Sequence, residues 1–177
     1  MIIDLKTIAA GTRSFSFSLE KNWWHSKEQG DALLGFSSPV KVTTDICRAG
    51  ERYVLEGNLS GMLEVACDRC LEPYRIDLSH EFRIILALPP QEIEKDEVEL
   101  LEEDMEIGFI TDDQLNLDEV VKEQIYLALP VKKLCSEDCP GLCPECGANL
   151  NNGDCGCAGV KGHPAFSKLK NLKIEGV

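Results

Sequence analysis

Between Tyr74 and Leu86 apolar side chains recur at every second position. Tyr74, Ile76, Leu78, Phe82, Ile84 and Leu86 form one row, with His80 in the same register, against Arg75, Asp77, Ser79, Glu81 and Arg83. An extended chain sends alternate side chains to opposite faces, so this run predicts a long strand with one face on a core and the other in water. His80 reads as a buried or edge imidazole with a hydrogen-bonded partner rather than a ligand or catalyst. Pro89-Pro90 ends the run, because proline cannot donate to a ladder. Shorter alternations occur in Phe15, Phe17 and Leu19 against Ser14, Ser16 and Ser18, and in Val40, Val42, Thr44 and Ile46. Tyr53 to Leu59 and Met62 to Ala66 are further β-prone runs, punctuated by Gly57 and Gly61, and read as neighbouring antiparallel strands. The rest of the first 35 residues, Trp23-Trp24 included, carries no readable period.

The period then changes. Leu117, Val120, Val121, Gln124, Ile125 and Ala128 recur at helical spacing, Asn116 supplies an N-cap with Glu119 three positions on, and Pro130 closes the element. The expected fold is therefore α+β, mainly β. An antiparallel sheet or partly open barrel occupies residues 1–130, with one amphipathic helix at about 117–129 packed on its apolar face. Residues 131–177 are rich in cysteine, glycine and lysine and have no apolar run able to make a core, so something other than hydrophobic burial must order them. A short last helix is expected from Pro164 through Phe166, Leu169 and Leu172.

Composition sharpens this picture in two ways. The 177 residues, 44% of them hydrophobic, suffice for one compact domain with a small appendage. The net charge of -13 is concentrated: residues 91–129 hold 14 acidic and 2 basic groups. Residues 91–106 alone carry nine carboxylates beside Lys95, and their repulsion predicts an exposed loop, with docking of a basic partner as the alternative role. An acidic protein repels phosphate backbones, which excludes generic nucleic-acid binding by a basic face. The N-terminal stretch lacks a basic start and an apolar run long enough for a secretory signal, and no later run could span a bilayer. A soluble, cytoplasmic protein is expected.

Nine cysteines in a reducing compartment point to metal or thiol chemistry rather than disulfides. Cys47 stands alone and reads as a small core residue. Cys67 and Cys70 form a CxxC between two strands, a tight turn that brings both thiolates to one tetrahedral ion. A thioredoxin-like redox pair shares that spacing but needs a helix after it, and here a strand follows. The second group is Cys135, Cys139, Cys143, Cys146, Cys155 and Cys157, in which Pro144 and Gly147 tighten a second CxxC. Together these give eight thiols, the number that two structural Zn2+ ions require; an iron-sulfur cluster also takes thiolates. Loop closure favours a local site of Cys143, Cys146, Cys155 and Cys157, leaving Cys67 and Cys70 to join Cys135 and Cys139. The alternative joins the two CxxC turns as a zinc ribbon. Closed all-thiolate sites offer no open position for hydrolysis, and the sequence has no HExxH, no deaminase signature, no P-loop and no G-x-S-x-G.

The run Cys67-Asp68-Arg69-Cys70-Leu71-Glu72-Pro73-Tyr74, the acidic stretch, and Val121 through Pro130 followed by the cysteine tail together resemble the YceD family of large ribosomal RNA subunit accumulation proteins. The similarity covers residues 35–177. The tail from Leu134-Cys135 through Cys146-Gly147, Asn149-Leu150-Asn151 and Cys155-Gly156-Cys157 resembles that family's cysteine-rich branch. It departs at His163-Pro164-Ala165, where that branch commonly has D-P-R. The resemblance implies a non-enzymatic accessory factor for large-subunit ribosomal RNA accumulation and ribosome assembly. Its partners would be large-subunit ribosomal RNA precursor or a basic ribosomal protein, with no membrane and no small-molecule substrate. The cysteine pattern alone also allows a zinc-ribbon adaptor of a transcription or other protein assembly. A thiol oxidoreductase using Cys67 and Cys70 lacks the fold context.

Overall fold

The computed structural model describes residues 1–8, 11–24, 32–88, 107–110 and 113–157. The acidic loop expected at 91–106 and the helix expected from Pro164 lie outside the described residues. Strands β1 (Ile2–Asp4), β2 (Thr12–Leu19), β3 (Leu33–Phe36), β4 (Val40–Ala49), β5 (Arg52–Ala66), β6 (Pro73–Ala87), β7 (Ile107–Phe109) and β8 (Gln114–Asn116) precede one helix, α1 (Leu117–Ala128).

The backbone of the fold is the hairpin of β5 and β6, paired antiparallel without interruption from Arg52 opposite Ala87 to Ala66 opposite Pro73. β4 pairs along the other side of β5 and β2 along β4, so the sheet runs β2-β4-β5-β6-β7. β3 takes the same edge of β5 as β4, with Phe36 opposite Leu63. At the corner between them the Ser37 and Ser38 N–H groups donate to the Met62 carbonyl at 2.8 and 3.3 Å. β7 adds to β6 in parallel, which makes the sheet mixed. β1 and β8 form a separate two-stranded ribbon. The sheet is open, since no pairing joins β2 to β7 among the described residues.

Side-chain alternation places the core on one face. Val40, Val42 and Ile46 of β4, Leu55, Leu59, Leu63 and Val65 of β5, and Leu78 and Leu86 of β6 are buried, while Asp45, Glu56, Glu81 and their neighbours face water. α1 lies across β6 and buries Leu117, Val121, Gln124 and Ile125, one stripe at helical spacing. Each fully buried aliphatic side chain there contributes about 1.5–3 kcal/mol relative to exposure. Gln124 is the polar member of that stripe, and its Oε1 meets His80 Nε2 at 3.2 Å, which supplies the partner expected for the imidazole. The Asn116 side chain caps the helix by accepting from the Asp118 N–H at 3.2 Å, one residue short of the Glu119 position. Trp24 packs beneath the helix, edge-on to Tyr126 with ring centroids 5.2 Å apart, and donates from Nε1 to the Leu33 carbonyl at 3.2 Å.

Two sequence expectations are corrected. The runs Tyr53–Leu59 and Met62–Ala66 are one continuous strand, because Gly57 and Gly61 make room rather than turns. A Cβ on Gly57 would collide with the Phe82 ring directly across the ladder, and one on Gly61 would stand 3.1 Å from Val40 Cα. Cys47 is not a core residue. Val42, Thr44 and Ile46 point inward, so period two sends Cys47 to the opposite face, half-buried beside Val54.

Candidate metal centres

The six residues joining β5 to β6, Cys67 to Glu72, are the tip of the longest hairpin. The Cys67 N–H donates to the Glu72 carbonyl at 3.0 Å and the Leu71 N–H to the Cys67 carbonyl at 2.9 Å. This turn requires a left-handed residue at its fifth position, and Leu71 adopts φ 62° there with its side chain 65% exposed. The tail repeats the same construction. The Cys143 N–H donates to the Ala148 carbonyl at 2.8 Å, the Gly147 N–H to the Cys143 carbonyl at 2.8 Å, and Gly147 has φ 75°. Both CxxC segments are thus the same turn, one closed by glycine at no steric cost and the other by a strained leucine.

The tail then wraps the hairpin tip. Asp68 and Lys133 are tied by two bonds, the Asp68 N–H donating to the Lys133 carbonyl at 2.7 Å and the Lys133 N–H to the Asp68 carboxylate Oδ2 at 2.8 Å. The bond from the Lys133 N–H holds the Asp68 carboxyl below the usual carboxylate range. Arg69 reaches over the tail, its Nη1 donating to the carbonyls of Glu137 at 3.1 Å and Cys139 at 2.9 Å, while its own carbonyl accepts from the Leu142 N–H at 3.1 Å. Gly141 passes so close that a Cβ would stand 2.9 Å from the Arg69 carbonyl oxygen.

These contacts gather the eight thiols into two groups, Cys67, Cys70, Cys135 and Cys139, and Cys143, Cys146, Cys155 and Cys157, with sulfurs within 4.8 Å of one another in each. The two CxxC turns therefore do not share a site, as a zinc ribbon would require. In the first group the Cys67 and Cys139 sulfurs are 3.9 Å apart and those of Cys70 and Cys135 3.7 Å. Sulfurs at about 2.3 Å around a tetrahedral zinc are separated by about 3.8 Å, whereas a disulfide needs about 2.05 Å. All nine cysteines are free thiols. Donors also point at the sulfurs: the Cys135 N–H at 3.5 Å from Cys67 Sγ and Asn151 Nδ2 at 3.4 Å from Cys139 Sγ. Such N–H groups stabilise thiolate charge and orient it. The residues thus fit a thiophilic divalent cation in each group.

The thiols within a group are unequal. Burial raises the Cys67 thiol, but the N–H groups of Cys135, Cys70 and Arg69 together outweigh it and bring it down to about 6. Cys143 is held at about 7 by the N–H groups of Cys146 and Glu145. Hydrogen bonds to a neighbouring sulfur, Cys139 for Cys135 and Cys146 for Cys157, favour the protonated thiol, and with burial push Cys135 and Cys157 up to about 12. The first group thus presents two lowered thiols, Cys67 and, through the Asn151 side chain, Cys139, and the second presents Cys143, each beside raised thiols that a cation must deprotonate. The groups also differ in exposure: in the first, Cys67, Cys70 and Cys139 are 0%, 3% and 2% exposed and Cys135 is open to solvent, while in the second only Cys143 is buried and Cys146 is open to solvent.

Arg69, Gly141, Asn149 and Asn151 hold these groups together, and nothing in the cysteine spacing announces them. Only the asparagines between Cys146 and Cys155 offered a signal, as turn formers inside a ligand loop.

A β-sheet domain whose hairpin tip and wrapped tail converge on two four-thiol groups is the class of protein defined here. The chain belongs to the YceD family, the model described as Large ribosomal RNA subunit accumulation protein YceD matching residues 55–173. A Zea mays protein named Large ribosomal RNA subunit accumulation protein YCED homolog 1, chloroplastic, is 27% identical over 68% of this chain and 49% of its own length. The Arabidopsis thaliana protein of the same name is 25% identical over 78% of this chain and 50% of its own length. An uncharacterized Mycobacterium tuberculosis protein is 32% identical over 56% of this chain and 46% of its own length. The chain spans about half the length of the curated relatives it matches. No solved structure matches it significantly. Among the described residues no helix is long and apolar enough to cross a membrane.

Proposed function

We propose that this protein is a cytoplasmic, non-enzymatic accessory factor for accumulation of large-subunit ribosomal RNA. In this reading it carries two structural Zn2+ ions and engages a large-subunit ribosomal RNA precursor or a basic ribosomal protein. Family membership over residues 55–173 is the observation that carries the role. The closed four-thiolate geometry supports metal as a fastening rather than a catalyst, because four sulfurs fill a tetrahedral ion and leave no position for substrate. Cys67, Cys70, Cys135 and Cys139 would hold one ion and Cys143, Cys146, Cys155 and Cys157 the other, each cross-linking tail to turn. Against redox use, Cys70 is followed by strand β6 rather than a helix, and Cys67 and Cys70 are gathered with two further thiols.

Deleting the gene and measuring the ratio of large- to small-subunit ribosomal RNA tests the role. A lowered ratio restored by the intact protein is expected, and an unchanged ratio refutes it. Crosslinking in cells, followed by sedimentation, identifies the partner. Recovery with large-subunit precursors supports this reading, and recovery only with an RNA polymerase would replace it with an adaptor role.

A further inference from the structure

We infer that the two thiol groups bind their metal ions cooperatively, with Asn151 carrying the coupling from the second group, the more open, to the first, the more buried. The inference rests on the metal-binding reading above and adds a regulatory relation between the sites. Its basis is the position of one short turn. Residues Leu150–Asn152 form a 3-10 turn inside the loop between Cys146 and Cys155, both ligands of the second group. The Asn151 side chain nevertheless serves the first group, Nδ2 donating to Cys139 Sγ at 3.4 Å.

The orientation of that amide is fixed by its neighbours. Asn149 Oδ1 accepts from the Asn151 N–H at 3.0 Å and from Asn151 Nδ2 at 2.8 Å, which leaves Asn149 Nδ2 to donate to Glu72 Oε1 at 3.3 Å. Only one assignment of oxygens and nitrogens satisfies all four contacts, and it aims the Asn151 NH2 at sulfur. The turn is also tied to the linker between the groups, the Leu150 N–H donating to the Gly141 carbonyl at 2.9 Å and Leu142 bridging Asn149. An ion held by Cys146 and Cys155 closes the loop and pre-orders Asn151, so the first group gains its donor without the entropic cost of fixing that loop. Linkage makes the effect reciprocal. The second group, the less buried of the two, thereby sets how firmly the first holds its ion.

The test is Zn2+ affinity by chelator competition, with Co2+ absorption to follow each site, on the full chain. Disabling the second group by Cys155→Ser with Cys157→Ser should weaken the first group's affinity by about tenfold, the low end for losing an outer-shell partner. Asn151→Leu should cause a similar loss while two ions still bind, and should move the sulfur-to-cobalt charge-transfer band of the first group to longer wavelength, since its thiolate loses a hydrogen bond. Combining the changes should add less than about twofold, because both remove the same donor. First-group affinity unchanged within about twofold in the serine variant, with two ions on the native chain, overturns the coupling alone. Failure of the native chain to bind any metal overturns the coupling and the metal-binding reading together. Should the serine variant lose its sheet by circular dichroism, Asn151→Leu decides alone, and an unshifted band with unchanged affinity refutes the inference.

Discussion

Replacing Gly141 with alanine adds one methyl group at the point where the tail crosses the hairpin tip. Gly141 has φ 78°, and its Cβ would stand 2.9 Å from the Arg69 carbonyl oxygen and 3.3 Å from Arg69 Cβ. The left-handed conformation costs an L-residue about 1–2 kcal/mol. The clash adds about 1–2 kcal/mol, within the usual range for overpacking. Arg69 cannot yield freely, because its carbonyl holds the Leu142 N–H and its guanidinium holds Glu137 and Cys139. The total, about 2–4 kcal/mol, falls on tail docking and not on the sheet core. Hydrogen exchange of the metal-loaded protein separates the two. The amides of Leu142 and Leu150 should lose about 30- to 1,000-fold protection, while those of Leu55 and Leu59 keep theirs. Protection at Leu142 unchanged within about threefold would refute the account of how the tail is seated.

Other consequences follow from the same geometry. At Leu71, glycine and alanine both remove the side chain but only glycine relieves φ 62°, so Leu71→Gly should exceed Leu71→Ala in stability by about 0.5–1 kcal/mol, reversing the usual order; urea unfolding showing alanine equal or better would contradict the strain. Metal uptake should expel protons. Cys70 and Cys135 in the first group, and Cys155 and Cys157 in the second, have thiols raised above the ordinary value, whereas Cys67 at about 6 is already thiolate at neutral pH. At least two protons per ion must leave, so apparent affinity should rise about 100-fold per pH unit near neutrality and fall with acid; calorimetry in buffers of different ionisation heat showing no proton release would exclude this.

The fold was legible where burial is one-sided. β6 announced itself from Tyr74 to Leu86 because one face meets α1 and the other meets water, and α1 from Leu117 to Ala128 for the same reason. β1, β3, β7 and β8 were not legible, since strands of three or four residues hold too few positions to show a period. Gly57 and Gly61 misled because glycine marks both turns and close approaches, and only the partner strand reveals which. For the candidate site, the loop-closure argument favours the grouping of the sulfurs that the structure displays. The scaffold of Arg69 and Gly141 was not legible, as it works through backbone carbonyls and single hydrogen bonds that leave no spacing in the sequence, while Asn151 was legible only as a turn former and not as a donor to sulfur.

The central claim is that thiolate-bound metal, rather than apolar burial, gives residues 133–157 their shape. Native mass spectrometry of the reduced, purified chain, combined with hydrogen exchange before and after chelation, tests it most directly. Two zinc ions per chain are expected, with chelation stripping protection from the tail while β5 and β6 keep theirs. A chain that carries no metal and yet protects its tail amides would contradict the account.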